Sequence, residues 1–174
     1  MNTTNKITTK AKKETQKLLD FIAKSPSCYH VVENISTKLQ KSGYEMLSEG
    51  QDWKLKPGGR YFVTRNQSSL IAFQMNPAGP QGGFLICAAH SDSPTFKLKS
   101  NYEVCVENKY VKLNVEKYGG SIYSTWLDRP LSIAGRVVVS NGHGVESRLI
   151  DLKKPLCVIP NLAVHMNREM NNGY

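Results

Sequence analysis

The stretch LICAAHSDSPTFKLK, Leu85–Lys99, decides how this chain is read. With Phe84 in front, every position up to Ala89 is apolar, and then His90, Asp92 and Pro94 follow in quick succession. A run that is apolar throughout, and does not alternate, is expected of a strand covered on both faces by other layers. Such a strand belongs to an α/β layered domain. In open α/β sheets ligands gather at the carboxyl ends of the strands, where loops open a crevice over a rigid platform. The length of the run puts His90 at such an end.

Neutral imidazole is a common zinc ligand, and its second ring nitrogen needs a partner that fixes tautomer and orientation. Asp92, two residues on in extended backbone, falls on the same side as His90 and can approach that nitrogen. Pro94 stiffens the exit and removes one backbone donor. The pattern suits a metal site. Spacing alone favours the plainer reading, a histidine satisfied by a nearby backbone carbonyl with Asp92 capping a turn.

Upstream the periodicity is helical. Ala11, Thr15, Leu18 and Ile22 recur at one-face spacing with lysines on the other sides, so about Lys10 to Lys24 is predicted as an amphipathic helix. Ser25 and Pro26 suit an N-cap and first helical position, Cys28, Val32, Ile35 and Leu39 repeat the spacing, and Gly43 stands at a left-handed C-terminal cap. Both helices are expected to pack on something else. Pro57-Gly58-Gly59 then marks a turn, and Tyr61–Thr64 and Leu70–Met75, separated by Asn66-Gln67-Ser68-Ser69, read as a hairpin.

Downstream of about Asn101 the texture changes. Val111, Leu113 and Val115 alternate with Lys112, Asn114 and Glu116, and short runs such as Arg136–Val139 are punctuated by Gly119-Gly120, Asn141-Gly142 and Gly144. A separate, mostly antiparallel β region is expected there.

The 174 residues suffice for one domain or for one domain and part of a second, with 40% apolar and 21% charged residues as in an ordinary globular protein. Of the net charge of +9, Lys6, Lys10, Lys12, Lys13 and Lys17 against Glu14 supply +4, which reads as a solvated helix face and not as a nucleic-acid contact. Cys28, Cys87, Cys105 and Cys157 show neither a C-x-x-C pair nor zinc-knuckle spacing, so free buried thiols in a reducing compartment are expected. No secretory h-region and no membrane-length apolar stretch occurs, and a cytoplasmic protein without membrane or nucleic-acid partners is the default expectation.

Other chemistries lack an anchor: no G-x-S-x-G, P-loop or G-x-G-x-x-G motif is present. Ser91 cannot form a dyad with His90, because neighbours on a strand point to opposite faces. His143 sits in a glycine-rich turn, His30 begins a helix where packing or capping is its ordinary role, and His165 falls on a short helix near the end.

Five separated stretches together resemble the M18 metallo-aminopeptidases: FIAKSPSCYHVVENISTKL, LKPGGRYFVTRNQSSLIAF, AAHSDSP, YGGSIYSTWLDRPLSIAGRV and IPNLAVHMNRE, in the family's order from about residue 18 to the end. The resemblance implies a dizinc exopeptidase whose catalytic α/β/α sandwich is interrupted by an inserted β-rich dimerisation domain. Residues 1–100 would be the first part of the catalytic domain, and residues 101–174 the first part of the insertion.

By the same resemblance His90 binds zinc, Asp92 orients that ligand, and His165 reaches a neighbouring subunit's active site to hold the substrate carbonyl or the developing oxyanion. Two zinc ions per site, a peptide substrate and a homo-oligomer are implied. The bridging carboxylate, the remaining ligands and the general-base glutamate have no match up to Tyr174. A catalytic site wants about three protein ligands per metal. The chain is therefore expected to be an N-terminal piece of such an aminopeptidase, inactive alone. The alternative is a non-catalytic relic kept as an oligomerisation surface.

Overall fold

The computed structural model describes residues 3–79, 82–169 and 172. Its elements in chain order are α1 (Thr3–Ala23), α2 (Cys28–Lys41), β1 (Glu45–Leu47), β2 (Arg60–Arg65), β3 (Ser69–Gln74), β4 (Thr95–Val106), β5 (Tyr110–Tyr118), β6 (Ala134–Ser140) and β7 (Val145–Asp151). They fall into two compact units. One combines the chain up to Asp92 with Ala134–Asp151; the other combines Ser93–Ile133 with Leu152 onward. These units do not coincide with a division at residue 100, because the β6–β7 hairpin returns to the first unit.

In the first unit the two apolar rows do form helices, with α1 starting further upstream than its spacing required. The start of α2 differs from expectation. Ser27, not Ser25, takes the extended N-cap conformation, and its Oγ meets His30 Nδ1 at 2.8 Å instead of a backbone N–H. Asn34 Nδ2 donates to the Lys24 carbonyl and to Ser25 Oγ, so the Ser25-Pro26 segment becomes a bracket between the helices. The end of α2 is as expected. Gly43 has φ +78, its N–H donates to Gln40 O, and the Tyr44 N–H donates to Leu39 O, the paired bonds of a Schellman cap.

The hairpin between β2 and β3 forms in the expected place, with Thr64 opposite Leu70 and Arg65 opposite Ser69. β1 adds in parallel on the far side of β2, giving the order β1-β2-β3. The middle strand carries the core. Tyr61, Phe62 and Val63 are buried in succession, which means both faces of β2 are covered, since successive side chains alternate faces. On one face the Tyr61 and Phe73 rings lie 5.7 Å apart and Trp53 stacks on Phe73 at 6.1 Å. The Tyr61 hydroxyl accepts the Lys56 N–H at 2.9 Å. Gly59 is required here, since a Cβ at that position would stand 2.5 Å from the Tyr61 ring. α2 packs on the sheet and on β6, with Val32 buried.

The second unit has the expected antiparallel texture. β4 and β5 pair with a register shift between Leu98 and Glu103, and Phe96 meets the Trp126 ring edge-on at 5.2 Å. Leu131 and Leu127 bridge to Cys157 and Ile159, which fastens the segment after Leu152 within this unit.

The decisive expectation about Phe84–Ala89 is corrected. The run is not a strand: it has no sheet partner among the described residues, and Phe84, Leu85 and Ile86 are each more than four-fifths exposed. A doubly buried strand needs neighbouring strands and two covering layers, and the described residues supply neither. Cys87 is exposed for the same reason, Cys105 on the paired strand β4 is exposed as well, and Cys28 and Cys157 are half-buried, so the thiols are free but none is fully buried. Leu18 and Ile22 on α1 are also open to solvent.

Candidate metal centre

His90 follows the apolar run and lies at the edge of the first unit. Its Nδ1 stands 2.8 Å from the Asp92 carbonyl oxygen and 3.2 Å from Asp92 Oδ1. A carbonyl oxygen can only accept, so Nδ1 carries the proton and donates to both oxygens. The neutral ring therefore presents Nε2 as its free lone pair. The side chain is 81% exposed, so that lone pair is open to a ligand from outside. Asp92 thus meets His90 through backbone and carboxylate at once.

Ser91 points away from the imidazole. Its hydroxyl donates to the Ser68 carbonyl at 2.9 Å, which ties this segment to the β2–β3 turn. In that turn the Ser68 N–H donates to the Arg65 carbonyl. The turn end of the hairpin is also held by Arg65, whose Nε and Nη2 donate to Glu49 Oε1 at 2.9 and 2.6 Å. These bonds hold the Glu49 carboxyl below its usual range and raise Arg65 above its own.

A neutral imidazole with its second nitrogen locked by an acid and a carbonyl fits one position of a zinc shell. It does not make a whole shell. Among the described residues no three His, Cys, Asp or Glu side chains come together in a way that could hold a metal ion.

The other histidines stand elsewhere. His165 belongs to the second unit and lies exposed in a turn, not a helix, where the Met166 N–H donates to Ala163 O at 2.8 Å. Helical phasing cannot be sustained in so short a segment. His30 is half-buried and engaged with Ser27. His143 is exposed in the β6–β7 turn, its N–H donating to Asn141 Oδ1.

The tether through Ser91 was not legible in the sequence. Its signal there, Asn66-Gln67-Ser68-Ser69, announces only a hairpin turn.

Residues 21–174 match the family described as Aminopeptidase I zinc metalloprotease (M18). The chain is 50% identical over 162 residues to a probable M18 family aminopeptidase 2 of Clostridium acetobutylicum, a match covering 91% of this chain and 37% of that protein. It therefore spans well under half the length of the curated relatives it matches. Among solved structures it resembles a chain in the cryo-EM structure of the Ape4 and Nbr1 complex, with TM-score 0.88 and 43% identity over 94% of this chain and 32% of that one. It also resembles the Saccharomyces cerevisiae mApe1 dodecamer, with TM-score 0.78 and 32% identity over 86% of this chain and 36% of that one.

Proposed function

This chain belongs to the M18 family of aminopeptidase I zinc metalloproteases, and from that premise we propose that it is the N-terminal part of an aminopeptidase that removes N-terminal residues from peptides. The observation that carries the reading is the locked imidazole. His90 donates from Nδ1 to Asp92 and turns an exposed Nε2 lone pair outward.

In this reading His90 is one ligand of a two-zinc site. Asp92 holds its tautomer and angle and makes Nε2 a better electron donor. His90 would hold a zinc ion there, and the ion would supply Lewis acidity and the means to activate water at neutral pH. His165 donates a hydrogen bond to the substrate carbonyl of a neighbouring subunit as negative charge develops there. The dodecamer described for mApe1 supports such a homo-oligomer. The helix α2 packed on the β1-β2-β3 sheet supports the first part of an α/β/α sandwich, and the antiparallel β4–β5 hairpin the start of an inserted β-rich dimerisation domain. Four unpaired cysteines support a reducing, cytoplasmic setting.

We propose in addition that the chain alone is inactive. The test is a chimera in which this chain replaces the matching part of the Clostridium acetobutylicum relative. It is expected to bind zinc and hydrolyse aminoacyl anilides. His90→Ala is expected to abolish both, and Asp92→Asn to cost about 10- to 100-fold in metal affinity or activity. A His90→Ala chimera with full zinc content and activity would sink the assignment.

A further inference from the structure

Arg136 on β6 is 70 positions away from Asn66 in the chain, yet its Nη1 donates to the Asn66 carbonyl at 2.8 Å and to Asn66 Oδ1 at 3.0 Å. Its guanidinium also lies 4.4 Å from the centroid of the Tyr29 ring on α2. All three residues belong to the first unit. The planar group is therefore fixed twice, with an aromatic face against its plane and a turn at its edge, a combination that Lys cannot reproduce.

The turn it grips needs such support. Asn66 and Gln67 both have positive φ, 52 and 56. Asparagine enters this region readily and glutamine rarely, and a pair of such residues persists when its surroundings hold it. The carbonyl of the next residue, Ser68, then accepts the Ser91 hydroxyl.

Among the described residues no hydrogen bond joins Phe84–Ala89 to the sheet, so Ser91 is the first fastening after that run. The bonds between His90 and Asp92 fix the ring relative to its own segment. Ser91 ties that segment to the hairpin turn of the first unit.

We propose that Arg136 is a positioning residue for His90: its guanidinium locks the Asn66–Gln67 turn, the Ser68 carbonyl holds Ser91, and Ser91 sets where the imidazole stands. The proposal rests on the reading of His90 as a metal ligand, and it concerns a connection that exists without metal.

The test uses the full isotopically labelled chain, with the His90 ring Cε1–H resonance and amide exchange at Ser68, whose N–H donates to the Arg65 carbonyl, as readouts. Arg136→Gln is expected to shift the ring resonance and speed exchange at the Ser68 amide about tenfold, as local opening becomes easier. Arg136→Lys is expected to recover part of both effects. Ser91→Ala should shift the ring while leaving exchange at Ser68 unchanged. In the Ser91→Ala background, Arg136→Gln should add nothing further at His90. Additive shifts in the double variant, or an unmoved ring in Arg136→Gln with Ser68 exchange raised, would overturn the proposal. Should Arg136→Gln fail to fold, Ser91→Ala alone decides, and an unmoved ring then refutes the link. The ligand premise fails separately, through a His90→Ala chimera that keeps its zinc.

Discussion

Replacing Leu85 by serine separates the two descriptions of the apolar run. A strand covered on both faces would bury the Leu85 side chain and lose about 1.5–3 kcal/mol of transfer energy on such a change. To this would be added the term for the cavity left behind, which brings large-to-small core changes to about 2–5 kcal/mol. In the structure described here Leu85 is fully exposed and has no sheet partner. Surface changes away from special features stay within about 0.5 kcal/mol. Phe62→Ala provides the scale, since Phe62 is the one fully buried large side chain among the described residues, and its loss should cost about 3–5 kcal/mol. Urea unfolding followed by circular dichroism measures both. Leu85→Ser is expected to leave the midpoint of the first unit unchanged while Phe62→Ala lowers it strongly. A loss above about 2 kcal/mol for Leu85→Ser would refute the exposed, unpaired run and restore the buried strand within this chain alone.

Gly59→Ala forces a Cβ against the Tyr61 ring and should cost about 1–3 kcal/mol in the same unfolding experiment; an unchanged midpoint would show that the ring can move aside. Because Arg65 lowers the Glu49 carboxyl, the stabilisation from this pair is complete above the unfolded value of about 4.3 and is lost as pH falls through the lower folded value. Comparing wild type with Glu49→Gln across pH 2–7 should show a wild-type advantage that disappears only on the acid side; an advantage independent of pH would contradict the ion pair. In its neutral form His90 is expected to be the Nδ1–H tautomer, so long-range nitrogen–proton spectra should show Nε2 unprotonated. An Nε2–H tautomer would remove the lock on which its ligand role depends.

The sequence carries the local structure well because local structure depends on near neighbours. The rows Ala11–Ile22 and Cys28–Leu39 describe helices, Gly43 stops α2, and Asn66–Ser69 turns the hairpin, each through interactions within a few residues. The His90–Asp92 pair belongs to the same class, since two residues of chain suffice to bring the ring to both acceptors. The ordered motifs add the family.

Three features depended on residues far apart in the chain, and only the tertiary structure decided them. The β6–β7 hairpin returns to the first unit, where Arg136 reaches the turn at Asn66. Ser27, and not Ser25, caps α2, because Asn34 draws the earlier serine into a bracket between the helices. Most of all, Phe84–Ala89 reads as an inner strand from its composition yet stands open. Apolarity records the environment a segment is suited to. Whether that environment exists is set by the strands and layers that arrive beside it, and within the described residues none does.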